Sequence, residues 1–109
     1  MSLPVKSVTV EELKKMMDEK KDVQLIDVRE KDEKAIADIG GELIPMGSAV
    51  ANAGKISKNK MVIVYCRSGR RSASVVGELQ EKFGFTNLYN LAGGILAWAE
   101  KIDSSVKKY

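Results

Sequence analysis

The chain has no histidine. That absence removes Ser-His-Asp triads, Cys-His dyads and histidine-based metal sites together. There is one cysteine, Cys66, so no intramolecular disulfide can form. A free thiol without disulfides fits a reducing compartment, and a cytoplasmic location is expected. Aromatic residues make up only 6%. Basic residues interleaved with stacking platforms are therefore missing, and no nucleic-acid partner is expected. No apolar run approaches the ~20 residues of a membrane span, so no membrane partner is expected either. Met1 to Lys6 holds no apolar segment of the signal-peptide type, although Met1-Ser2-Leu3 could be a cloning leader that stands where an export signal was trimmed away.

What remains is an ordinary globular composition, 44% hydrophobic and 30% charged, with a net charge of +3. At 109 residues the chain is expected to be one domain, residues 1–109 with a core from about 5 to 103. The lysines of Lys14-Lys15, Lys20-Lys21 and Lys55/Lys58/Lys60 lie in polar stretches and read as a solvated face. With no obvious exposed apolar stripe, a monomer is expected.

Apolar runs alternate with helical patterns. Lys6 to Val8 reads as a short edge strand. Thr9 and Glu12 form a capping box for a helix whose core stripe is Val10, Leu13, Met16 and Met17. Val23 to Asp27 is a strand buried on both faces. Lys31 to Asp38 is a short helix ended by Gly40-Gly41, and Glu42 to Ile44 a brief strand stopped by Pro45. Ser48 to Ala53 supplies a helical turn or two. Met61 to Tyr65 is the strongest strand. A helix from Ser72 to Phe83 follows, burying Ala73, Val76, Leu79 and Phe83. In it Gly77 permits close approach to the sheet, and Gly84 is the C-cap. Thr86 to Leu91 is a strand, Gly93-Gly94 a turn, Ile95 to Ile102 a last helix, and a frayed tail runs to Tyr109. This alternation indicates an α/β fold with a parallel sheet and helices on both faces. Ligands of such sheets bind beyond the carboxyl ends of the strands. Asp27-Val-Arg29, the segment after Cys66 and Leu91 to Gly94 should meet there.

The chemistry concentrates at Cys66-Arg67-Ser68-Gly69-Arg70-Arg71, between the strongest strand and a helix. Backbone N–H groups in such a loop, at a helix N-terminus, bind anions. A free thiol has a pKa near 8.5. Lowering it by about two units requires about 2.7 kcal/mol of preference for the thiolate. A helix N-terminus gives ~0.3–1 kcal/mol, and converging N–H donors and guanidinium groups supply the rest. No acidic residue lies between Tyr65 and Gly77 to cancel Arg67, Arg70 and Arg71. Ser68 and Ser72 can donate hydroxyl hydrogens, and Gly69 permits a positive φ. One arginine is expected to salt-bridge elsewhere.

Three segments in order resemble the single-domain rhodaneses, the thiosulfate-type sulfurtransferases. They are Leu25-Ile-Asp-Val-Arg-Glu30, Tyr65-Cys-Arg-Ser-Gly-Arg-Arg-Ser72 and Leu91-Ala-Gly-Gly-Ile-Leu-Ala-Trp98. The chain departs from that family at Ala37 to Pro45, where many members have a Gly-His-Ile-Pro-Gly-Ala-like stretch. The resemblance implies a five-stranded parallel sheet flanked by helices. It implies that Cys66 takes a sulfane sulfur from a thiosulfate-like anion, becomes a persulfide, and passes the sulfur to cyanide, a thiol or a protein thiol. Arg67, Ser68, Gly69, Arg70 and Arg71 would bind the donor, with no metal or organic cofactor. Asp27, Arg29, Gly93, Gly94 and Trp98 are expected to be structural. A persulfide carrier without turnover is an alternative. A cysteine phosphatase or arsenate reductase on the same scaffold is disfavoured, because Arg71 follows Cys66 after four residues rather than five.

Overall fold

The computed structural model describes residues 4–109; the expected cloning leader, Met1 to Leu3, lies outside them. Five strands form one all-parallel sheet: β1 (Ser7–Val8), β2 (Gln24–Asp27), β3 (Glu42–Leu43), β4 (Val62–Tyr65) and β5 (Leu88–Leu91). Their spatial order is β1-β5-β4-β2-β3. The helices are α1 (Val10–Asp18), α2 (Lys31–Ile36), α3 (Arg70–Phe83) and α4 (Gly94–Lys101). The legible elements are those expected, and β1 is an edge strand.

The two-residue period of β4 divides the core. Val62, Val64 and Cys66 face one way and pack with Val75, Val76 and Leu79 of α3. Ile63 and Tyr65 face the other and pack with Leu13 of α1 and Ile95 and Trp98 of α4. Every residue of β4 is buried, as a central parallel strand covered on both faces requires. Each such aliphatic side chain contributes roughly 1.5–3 kcal/mol by leaving water. The connections from β2 and β4 leave in opposite directions, β2 outward to β3 and β4 back to β5. The carboxyl ends of β2 and β4 therefore flank a switch point, the usual place for a ligand crevice.

Some details match expectation and others differ from it. The capping box at Thr9 is present, with Thr9 N–H donating to Glu12 Oε1 at 2.8 Å and Glu12 N–H to Thr9 Oγ1 at 3.0 Å. Met17 is 41% exposed, because the stripe of α1 outlasts the core it covers. Helix α2 stops at Ile36, where Ala37 turns extended and buries its side chain. The Met46 to Lys55 region holds two short 3-10 turns, Met46–Ser48 and Ala53–Lys55.

Helix α3 begins at Arg70, two residues before Ser72, and its buried face is Ser72, Val75, Val76, Leu79 and Gln80. Ala73 is only partly buried and Phe83 is exposed. Gly84, in the left-handed region at φ 69°, reverses the chain so that Phe85 fills the core instead. Gly77 does not press against the sheet: a Cβ there would meet only Val5 Cγ2, at an ordinary 3.8 Å. The tail is ordered by Asp103, which accepts from Ser105 N–H and Oγ–H. Val106 packs on the α1/α4 core, and the Arg67 guanidinium lies 5.7 Å from the Tyr109 ring centre.

Candidate functional site

The carboxyl ends of β2, β4 and β5 meet as the sequence indicates. Cys66 follows β4 directly and is 1% exposed. Arg67, Ser68 and Gly69 carry the chain to α3. Gly69, the residue before the first helical position, has φ 100°, a conformation that an L side chain rarely adopts. That turn brings Gly69 N–H to within 3.1 Å of Cys66 Sγ. Ser72, one turn into α3, lies with its Oγ 3.4 Å from the same sulfur.

Burial pushes the Cys66 thiol up, but the Ser72 hydroxyl and the backbone N–H groups of Ser72, Gly69 and Ser68 outweigh it. The thiol ends below its ordinary value. The Arg71 charge also couples to the sulfur. The donors expected around Cys66 are thus present. The backbone and a hydroxyl lead, and the arginines are secondary.

The three arginines separate by role. Arg71 is the one that pairs elsewhere: its Nη1 and Nη2 each lie 2.7 Å from the two carboxylate oxygens of Glu33, on α2. The Arg71 bidentate bond holds the Glu33 carboxyl down at about 2, against 4.5 ordinarily. Arg71 is raised by the same contact. Arg70 occupies the first turn of α3 rather than the loop, and Arg67 and Arg70 are exposed. With Met46, Ser68, Arg71 and Ser74 they line a pocket of about 430 Å³. Cys66 lies behind Arg67 and Ser68, not on the pocket surface. A larger pocket of about 560 Å³ opens around Val23, Gln24, Lys55 and Ser57, at the amino end of β2. It includes no residue of the Cys66 loop, so its size says nothing about the thiol chemistry.

Asp27 and Arg29, both 0% exposed, form a buried bidentate pair at 2.7 and 3.0 Å. Arg29 also donates to the carbonyls of Glu33 and Ala37. The pair therefore fixes the end of α2, which carries Glu33 and hence Arg71. Gly94 is equally specific. Ile95 and Leu96 N–H donate to the carbonyls of Cys66 and Arg67, each at 3.0 Å. A Cβ on Gly94 would come within 2.5 Å of both carbonyl oxygens. The first turn of α4 thus satisfies the loop's outward carbonyls and leaves its N–H groups to face the sulfur.

Two residues at the site escape sequence reasoning. Glu33 sits in a charged segment with nothing to mark it. Asn90, 8% exposed on β5, bonds to Ser72 Oγ; a polar residue inside Leu88-Tyr-Asn-Leu91 was the available signal. Among the described residues no group of acidic, histidine or cysteine side chains is placed to hold a metal ion.

Comparison with known proteins agrees with this geometry. The rhodanese-like domain family matches residues 9–101. A sulfurtransferase of Allochromatium vinosum is 35% identical over 96 residues, covering 87% of this chain and 89% of its own length. The rhodanese-like/PpiC domain-containing protein 12, chloroplastic, of Arabidopsis thaliana is 38% identical over 97% of this chain, which spans only 38% of that protein. A crystal structure of a rhodanese-like domain protein from Staphylococcus aureus superposes with a TM-score of 0.80 at 34% identity, covering 96% of this chain and 99% of that one. The chain belongs to the rhodanese-like domain family.

Proposed function

We propose that the protein moves a sulfane sulfur from a thiosulfate-like anion to an outside nucleophile through a persulfide on Cys66. The observation that carries this reading is the buried Sγ, which faces the Gly69 N–H at 3.1 Å and the Ser72 hydroxyl at 3.4 Å. Such a sulfur is held toward its anionic form without a histidine.

The Cys66 thiolate attacks the outer sulfur of the donor. A new S–S bond forms, the bond to the sulfonate sulfur breaks, and its electron pair leaves with sulfite. The terminal sulfur of the persulfide now carries the charge, and the loop N–H groups stabilise it as they did the thiolate. Cyanide or a thiolate then attacks that terminal sulfur, and Cys66 departs as the thiolate. This is covalent catalysis in two displacements. Arg67 and Arg70 bind the anionic donor at the mouth of the pocket. Arg71, engaged by Glu33, adds charge but not a free fork. With a single cysteine, no internal thiol can resolve the persulfide, so the acceptor comes from outside.

The short path from Cys66 to α3 argues against phosphate chemistry. Only Arg67, Ser68 and Gly69 intervene, and the arginine at the fifth position after Cys66 is committed to Glu33. The test is turnover of thiosulfate and cyanide to thiocyanate and sulfite, with Cys66→Ser inactive. Thiocyanate formation that survives Cys66→Ser, or hydrolysis of a phosphate ester in its place, would overturn the reading. Sulfur loaded from thiosulfate but not released to cyanide or small thiols would favour a carrier.

A further inference from the structure

Ser72 Oγ has one hydrogen and two acceptors. It lies 3.4 Å from Cys66 Sγ and 2.5 Å from Asn90 Oδ1, and Ser72 itself is fully buried. Both contacts draw on the same hydrogen, and the Asn90 carbonyl oxygen is the nearer acceptor.

We infer that Asn90 is a positioning residue which competes with Cys66 for the Ser72 hydroxyl hydrogen, so that the hydrogen turns to Sγ only when the sulfur carries charge. With the thiol protonated, S–H donates to Ser72 Oγ and the hydroxyl donates onward to Asn90. When the thiol ionises, the hydroxyl rotates to Sγ and Asn90 loses it. In the proposed persulfide the charge sits on the outer sulfur, and the hydroxyl returns to Asn90; this part rests on the proposed function. Asn90 thereby restrains ionisation of the resting thiol and takes the Ser72 hydroxyl back once Sγ carries the outer sulfur.

The site isolates this effect. The charged group that acts on Cys66 is Arg71, with its partner Glu33 from α2; the buried Asp27–Arg29 pair stands at the end of β2, and Arg67 and Arg70 line the pocket. Strand β5 has no charged residue, and α4 has none in the turn that meets the loop. Replacing Asn90 by a neutral residue therefore leaves every charge in place.

The experiment is a thiolate titration by ultraviolet absorbance, with Cys66→Ser as the blank. It needs no sulfur donor and decides the point even for a protein that fails to turn over. Asn90→Ala and Asn90→Leu should each lower the midpoint by about half to one pH unit, because Ser72 then has only the sulfur to serve. Ser72→Ala should raise it by about one to two units. In the Ser72→Ala background the Asn90 substitutions should do nothing. An unchanged or raised midpoint in both Asn90 variants, or an equal shift with Ser72 absent, would overturn the inference. The two Asn90 variants differ in volume, so a packing defect in one does not excuse the other.

Discussion

Cys66 is buried to 1% exposure yet lowered in pKa, and that combination requires directed donors rather than solvent. The charged neighbours serve different ends. Arg67 and Arg70 are exposed at the pocket, so replacing either by Ala should raise the thiosulfate KM roughly tenfold with kcat little changed, in line with loss of one charge-assisted contact. A fall in kcat at constant KM would place them at the reacting sulfur instead. Glu33 makes a pH prediction. Its folded pKa, about 2, lies below the ordinary 4.5, so its contribution to stability is present above about 4.5 and is lost as pH falls toward about 2. Urea unfolding midpoints of the native chain and Glu33→Gln should differ at neutral pH and converge in that acid window. At this scale the sequence shows which residue types are needed but not their partners. Ser72 was expected to offer its hydroxyl beside Cys66, and it does, but its second partner, Asn90, was not foreseen. Only the fold brings residues 72 and 90 together.

Among the elements, α3 and α4 do most to shape the site, each entered through a left-handed glycine with no capping side chain. Helix α3 starts two residues ahead of the Ser72 expected from sequence, because a glycine N-cap carries no side-chain signal. The difference matters because it transfers Arg70 and Arg71 from loop to helix. Gly94→Ala should be severe. Its Cβ would strike the Cys66 and Arg67 carbonyls, and φ is 56° there, so a stability loss of at least about 1–3 kcal/mol and a raised Cys66 titration midpoint are expected. Denaturant melts and the thiolate absorbance check both. Gly77→Ala should do the reverse. The site has room, and alanine is the better helix former by about 0.8–1.0 kcal/mol. A higher unfolding midpoint with unaltered titration is the expected result; a loss of stability would mean that Val5 cannot accommodate the methyl group. The amphipathic stripes were readable in their middles and unreliable at their ends, as Met17 and Phe83 show. Period alone does not say where the covered core stops.

For the molecule as a whole, alternation of apolar strands and helical stripes was enough to indicate a parallel sheet with two covered faces, because few other arrangements bury such runs. The strand order, with β4 at the centre, required the structure, since β-strand pairing is not written in any local stretch. The consequence is functional: the central strand delivers Cys66 to the switch point, while β2, β5, α2 and α4 brace it from each side. The central claim is that this arrangement makes Cys66 a sulfur acceptor. Intact-mass measurement after incubation with thiosulfate tests it most directly. The account predicts a single added sulfur, absent in Cys66→Ser and removed by cyanide with release of thiocyanate. An unmodified mass under conditions where Cys66 titrates as a thiolate, or an adduct that persists in Cys66→Ser, would contradict it.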